Sequence, residues 1–348
     1  QAPYIAAVMA YERMDFYAIA SIVDALLKLL LIVLLQYLDT DKLLFYGILM
    51  FTISVVDFLL YFFYCKHKFY ELKFHKGVNK TMLKSLMSFS GWNLLDPFSY
   101  MVRDQGTNMV LNSFFGTIVN AAQGVAYQIS SAVEAFTSSL STSFRPQIIQ
   151  TYSEGNYERT KNLVFSMSKL NFMLQLLLAI PLCYEINYIL QLWLGESIPN
   201  YTPIFAILVL SNKTINTLNL PISILVLATG KIKKIKIVSS IIVCSVLPIA
   251  VALFSMGLPP WSVYASLISV TIINQIACVI IMNKLFPYIG LGEYLKLIAL
   301  PCFRYTVSAC IFPTIMVLCI EESFTRLLIN VTISVLLVIF FGYFTMLN

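Results

Sequence analysis

Apolar runs of nearly constant length repeat along the whole chain. Stretches of mostly apolar residues occupy 16–37, 43–64, 82–102, 116–144, 163–186, 204–227, 237–256, 261–281, 295–318 and 327–347. About twenty residues of α-helix rise about 30 Å, the thickness of a bilayer's hydrocarbon core, so each stretch is read as a membrane span. Hydrocarbon offers a backbone amide no hydrogen-bond partner, so a lone span must be helical. The chain also lacks the alternating strands of about ten residues that would signal a barrel. The predicted fold class is therefore all-α, a polytopic transmembrane helix bundle.

Hydrophilic positions inside these spans are in register. In 116–144, Asn120, Gln123, Tyr127, Ser130, Glu134, Thr137 and Ser141 recur at alternating steps of three and four, which puts them on one helix face. A stripe of this depth is what a helix lining a hydrated pathway shows. Hydrogen-bonding glue in a dry bundle is the alternative, but glue alone does not require a carboxylate at mid-depth. Asn93, Asp96, Tyr100 and Arg103 follow at steps of three, four and three on one face of 82–102, with Pro97 loosening the helix beside Asp96. Arg103 and Asp104 either join this face or pair at the membrane boundary. In 204–227 the segment SNKTINTLNLPIS places Lys213 at mid-span and Pro221 behind it, and broken spans mark transporter binding sites. Asp24 and Lys28, four apart in 16–37, are placed to satisfy each other.

Composition agrees with the spans. The chain is 59% hydrophobic and 11% charged, with a mean hydropathy of +0.81, whereas soluble domains run at about 45–50% and about 25%. Its net charge of +6 has a topological source, and nothing in the sequence forms a basic face with interleaved aromatics, so nucleic acid is not an expected partner. When the connecting segments are assigned alternately to the two sides, sixteen Lys and Arg fall on one side and only Lys42, Arg103 and Arg326 on the other. The richly basic side is read as cytoplasmic, and an even number of spans then leaves the C-terminus cytoplasmic too. The cluster GKIKKIKIV is read as a topology anchor rather than an anionic-lipid patch. The basic segment 66–81, with His67 and His75, is read as a linker on the inner surface. The seven cysteines lie mostly in apolar runs without CxxC spacing and are read as small core residues. No metal-ligand cluster, nucleophile with a base beside it or phosphate-cradling loop is visible, so an enzyme is not expected and neither is a cofactor. The first residues lie within an apolar segment too short to span and carry no signal-peptide pattern, which reads as a truncated N-terminus.

Several segments resemble one family in its own order: SFSGWNLL, VRDQGTNMVLNSFFG, VNAAQGVAYQISSAV, FRPQIIQTY, LWLG and ATGKIKK. They resemble the Wzx-type polysaccharide (O-antigen or lipopolysaccharide) flippases, which share a superfamily with the MATE multidrug exporters. Two positions depart from the family's pattern: Asp104 stands where relatives carry Asn, and Asp96-Pro97 replaces small residues. Both add negative charge beside the expected cavity.

The resemblance implies a MATE-like two-lobe exporter with its first lobe incomplete. Residues 1–65 would be the remnant of the N-terminal lobe, 66–81 the linker, 82–288 the C-terminal six-helix lobe and 289–348 two additional helices. It implies a flippase in the cytoplasmic (inner) membrane that moves undecaprenyl-diphosphate-linked oligosaccharide units by alternating access, beside a polysaccharide polymerase and chain-length machinery. Asn93, Asp96, Tyr100, Arg103, Asn120, Gln123, Tyr127, Ser130, Glu134 and Lys213 would line the cavity. Asp24, Asp96 or Glu134 would carry a coupling ion, H⁺ or Na⁺. The alternatives are a multidrug or lipid II exporter of the same fold or, from another class, a membrane polysaccharide polymerase or acyltransferase.

Overall fold

The computed structural model describes residues 2–11, 13–36, 42–69 and 79–342. Among these the chain is helical almost throughout and has no strand, the expected all-α membrane bundle. Most of the expected linker, residues 70–78 with His75, lies outside the described residues, as do 343–347 of the last expected span. The chain divides into two compact units, Gln1–Leu83 and Lys84–Asn348.

The first unit is a small helical cluster of α1 (Ala2–Ala10), α2 (Met14–Gln36) and α3 (Lys42–Lys68). Its core is aromatic: Tyr61 and Cys65 of α3 are buried against Ala7, Val8 and Ala20, and Phe16 stacks on Tyr64 with ring centroids 3.6 Å apart. Lys66 and Lys68 lie in the last turn of α3, where cations complement the helix dipole.

The second unit begins with α4, Lys80–Ser153 (its first residues lie in the first unit), which is two helical arms joined at Gly116. Residues 96 and 134 would stand about 57 Å apart on a straight helix, yet Asp96, Tyr100, Glu134 and Thr137 line one cavity. The chain therefore folds back at Gly116, whose φ of 79° and ψ of −176° are accessible to glycine almost alone. Residues 103–115, expected outside a span, continue the first arm instead. Arg103 is consequently buried and paired with its neighbour Asp104.

Around this hairpin stand α5 (Tyr157–Tyr184), α6 (Ile186–Leu194), α7 (Thr202–Asn216), α8 (Asn219–Thr229), α9 (Lys233–Cys244), α10 (Val246–Ser255), α11 (Ser262–Leu285), α12 (Leu291–Tyr294), α13 (Leu300–Cys319) and α14 (Phe324–Gly342), with a π-helical turn at Leu295–Ala299 before α13. The expected span 204–227 is broken into α7 and α8, because Pro221 supplies no N–H to the carbonyl four residues back. At the break, the Leu218 carbonyl accepts from Gln275 Nε2 at 3.1 Å.

Seven helices among the described residues are long and apolar enough to cross a membrane: Met14–Leu35, Leu44–Lys68, Tyr157–Tyr184, Lys233–Ser255, Ser262–Leu285, Leu291–Cys319 and Phe324–Gly342. The other three expected spans are the two polar arms of α4 and the broken α7–α8 pair. All three are helical, but hydrophilic side chains or a break keep them out of the seven.

Two apolar cores fill the second unit. One gathers Leu111, Ala122 and Ala126 of α4 with Phe205, Val246 and Tyr264, and the other gathers Ile148 with Met167, Leu225, Met282 and Tyr305. Along α4 and along α7–α8, polar residues occupy the stretch between the cores.

A buried ion pair fastens the C-terminal helices to this bundle. Glu185, at the end of α5, has a side chain 0% exposed, and Arg326 of α14 is 4% exposed. The guanidinium donates to both carboxylate oxygens, with Nη2 to Oε2 at 2.9 Å. Asn330 Nδ2 donates to the same carboxylate at 2.8 Å, Ser334 donates to Asn330 at 3.1 Å, and Arg326 Nη1 reaches the Ile320 carbonyl. Arg326 was expected to be an outer-loop cation. It lies in the helix instead, because only a partner buried with it can offset its desolvation.

Arg326→Leu should leave the buried Glu185 side chain without its ion-pair partner and destabilise the protein by about 3–5 kcal/mol, while Glu185→Leu with Arg326→Leu should recover most of that loss. Thermal unfolding in detergent measures both, and equal losses for the single and double variants would contradict the assignment.

Candidate functional site

A polar cavity of about 230 Å³ opens between α4, α5 and the α7–α8 break. Each wall has a local cause. The second arm of α4 brings Glu134, Thr137 and Ser141 along its face because they are spaced three and four apart. The first arm returns Asp96 and Tyr100 to the same level after the reversal at Gly116. α7 contributes Lys213 in its last turn, and the break at Pro221 turns Asn216, Thr217 and Asn219 inward.

The charges are paired across helices. Lys213 Nζ stands 2.6 Å from Glu134 Oε2, yet the side chains remain 25% and 50% exposed, so the pair is open to whatever fills the cavity. Asp96 pairs with Lys236 of α9, and its second oxygen, Oδ1, is shielded without a hydrogen-bond partner. Lys233 sits over the Trp92 ring at 4.7 Å. Two lysines of the cluster read as a topology anchor therefore hold α9 on the first arm of α4.

The remaining sequence candidates divide by depth. Arg103 pairs with Asp104 at 2.6 Å and lies over the Tyr100 ring at 4.7 Å, outside the cavity lining. Asn93 is half-buried on the same arm. Asn120, Gln123, Tyr127 and Ser130, the half of the stripe nearer Gly116, do not line the cavity. At their level the apolar core around Phe205 and Tyr264 closes the interface, and Gln123 and Ser130 are fully buried within it. Asp24, in the first unit, accepts from Lys28 Nζ at 2.7 Å, four residues along the same helix.

Asn171 and Gln175 of α5 line the cavity although the sequence did not single them out. Asn171 Nδ2 donates to Ser141 Oγ at 3.1 Å, which ties α5 to the stripe. Their spacing of four within an apolar span was the available signal. The neighbouring faces of α5 and α7 wall a second cavity of about 740 Å³, lined mainly by apolar side chains such as Phe172, Leu176, Ile215 and Phe303. A polar and an apolar compartment thus share the same two helices.

Among the described residues no group of three or more His, Cys, Asp or Glu is placed to hold a metal ion. Comparison of the chain with protein families, characterised proteins and solved structures gives no match. The paired charges, amides and hydroxyls can bind a polar cargo through hydrogen bonds.

In a cysteine-free background, Ser138→Cys, which lines the cavity and is exposed, should react with a membrane-impermeant maleimide, whereas Ile118→Cys on the exposed apolar side of α4 should not. Equal labelling, or labelling at Ile118→Cys alone, would place water on the wrong face of the helix.

Proposed function

We propose that this multi-pass membrane protein is a transporter, and specifically a flippase. Its cargo is an oligosaccharide repeat unit carried on undecaprenyl diphosphate, moved across the cytoplasmic membrane for cell-surface polysaccharide synthesis. The observation that carries this reading is the partly exposed Glu134–Lys213 pair in a cavity of amides and hydroxyls inside a membrane bundle. Ionisable groups within a membrane are costly and mark the paths of polar cargo. Lys213 suits a diphosphate or acidic sugar, and Asn171, Gln175, Asn216 and Asn219 suit sugar hydroxyls.

The family resemblance of the motifs around Arg103, Gln123 and Arg145 supports the same reading, as does the apolar compartment sharing α5 and α7, since the cargo joins a sugar to a lipid. The protein acts without enzymatic chemistry, with its C-terminus on the cytoplasmic side and H⁺ or Na⁺ as the coupling ion at Asp24, Asp96 or Glu134. A polysaccharide polymerase and chain-length machinery would act next on the exported units. The size of the apolar cavity favours one second reading, a drug or lipid exporter of the same architecture.

Expressed in a strain that lacks its own flippase, the protein should restore surface polysaccharide. Glu134→Ala or Lys213→Ala should lower export about tenfold at unchanged protein level, the worth of roughly one charged hydrogen bond. No restoration, with drug efflux instead, would support the second reading.

A further inference from the structure

Asn171 and Gln175 are four residues apart on α5, so their amides stand on one face of the helix. Both line the polar cavity, although each residue is only 1% exposed. Among the described residues, Asn171 Oδ1 receives no donor and Gln175 Nε2 finds no acceptor. Two buried amides thus offer the cavity one open acceptor and one open donor, and such groups are costly to leave unmatched.

The direction of the Asn171 amide is fixed by its neighbours. Ser141 Oγ donates its hydrogen to the Thr137 carbonyl at 3.2 Å, so towards α5 it can only accept, and Asn171 Nδ2 supplies that bond at 3.1 Å. The oxygen end of the amide is left for the cavity. A ligand hydroxyl rotates to suit either polarity and needs no such lock. A secondary amide cannot adapt in this way, because its N–H only donates and its carbonyl only accepts. The open pair matches that group, with Asn171 Oδ1 accepting from the N–H and Gln175 Nε2 donating to the carbonyl.

We propose that this face of α5 recognises an acetamido group, so that the cargo presents an N-acetylated amino sugar to Asn171 and Gln175. The inference rests on the flippase reading above and narrows what these two side chains bind within the cargo. Ser141 is a positioning residue that acts through Asn171. Asp96 Oδ1 and Asn219 Oδ1, shielded without a donor in the same cavity, are left for hydroxyls of the sugar.

The purified 348-residue chain in lipid nanodiscs is titrated with undecaprenyl diphosphate bearing either N-acetylglucosamine or glucose, which differ in one acetamido group, and binding is read by native mass spectrometry. The wild type should bind the acetamido lipid about tenfold more tightly, the worth of one matched buried hydrogen bond. Asn171→Leu and Gln175→Met should each bring the two affinities together while the glucose lipid still binds. Ser141→Ala should narrow the gap with circular dichroism unchanged. A wild type with no preference for the acetamido lipid, or a preference that survives in all three variants, overturns this proposal alone. Binding of neither lipid overturns it together with the flippase reading.

Discussion

Hydrocarbon offers no hydrogen bonds, and every polar group placed in it must find a partner within the protein. This constraint makes the backbone helical over nearly all the described residues. It also explains why charged side chains within the spans meet others: Glu185 with Arg326, Asp96 with Lys236, Glu134 with Lys213, and Asp24 with Lys28. Three of these four pairs join different helices, so charge satisfaction also fixes which helices are neighbours.

The pairs differ in what surrounds them, and that difference separates fastening from function. Glu185 and Arg326 are wholly desolvated and their hydrogen-bonding groups are occupied by Asn330 and the Ile320 carbonyl, so breaking the pair is expensive and nothing remains to bind a ligand. Glu134 and Lys213 are partly exposed, and a pair in that condition contributes at most about 1 kcal/mol. A pair held so weakly can exchange its partner for a phosphate or a sugar hydroxyl. The weaker interaction is therefore the one suited to cargo.

Span length and polar spacing made much of this arrangement legible beforehand. The spacing of Asn93, Asp96 and Tyr100, the stripe through Glu134 and the break after Lys213 each mark a true helix face or interruption, and Asp96, Tyr100, Glu134 and Lys213 do meet at one cavity. Helical periodicity reports a face but not what lies against it, so it gave Gln123 and Ser130 the same weight as Glu134. Only packing shows that the apolar core around Phe205 and Tyr264 covers the half of the stripe nearer Gly116. Arg326 was misplaced for a related reason. A positive charge near a span's end looks like a loop anchor unless its partner is known, and Glu185 is 141 residues away in sequence. The spacing of Arg326, Asn330 and Ser334 by four was the one local clue.

The central claim is that the Glu134–Lys213 pair faces a hydrated cavity rather than lipid or a dry interface. An electron cryo-microscopy map of the protein in lipid nanodiscs tests it most directly. The account predicts ordered water or polar headgroup density bounded by Glu134, Lys213 and Asn171. Acyl-chain density against Glu134, or α5 and α7 closed on it with no space between, would contradict it.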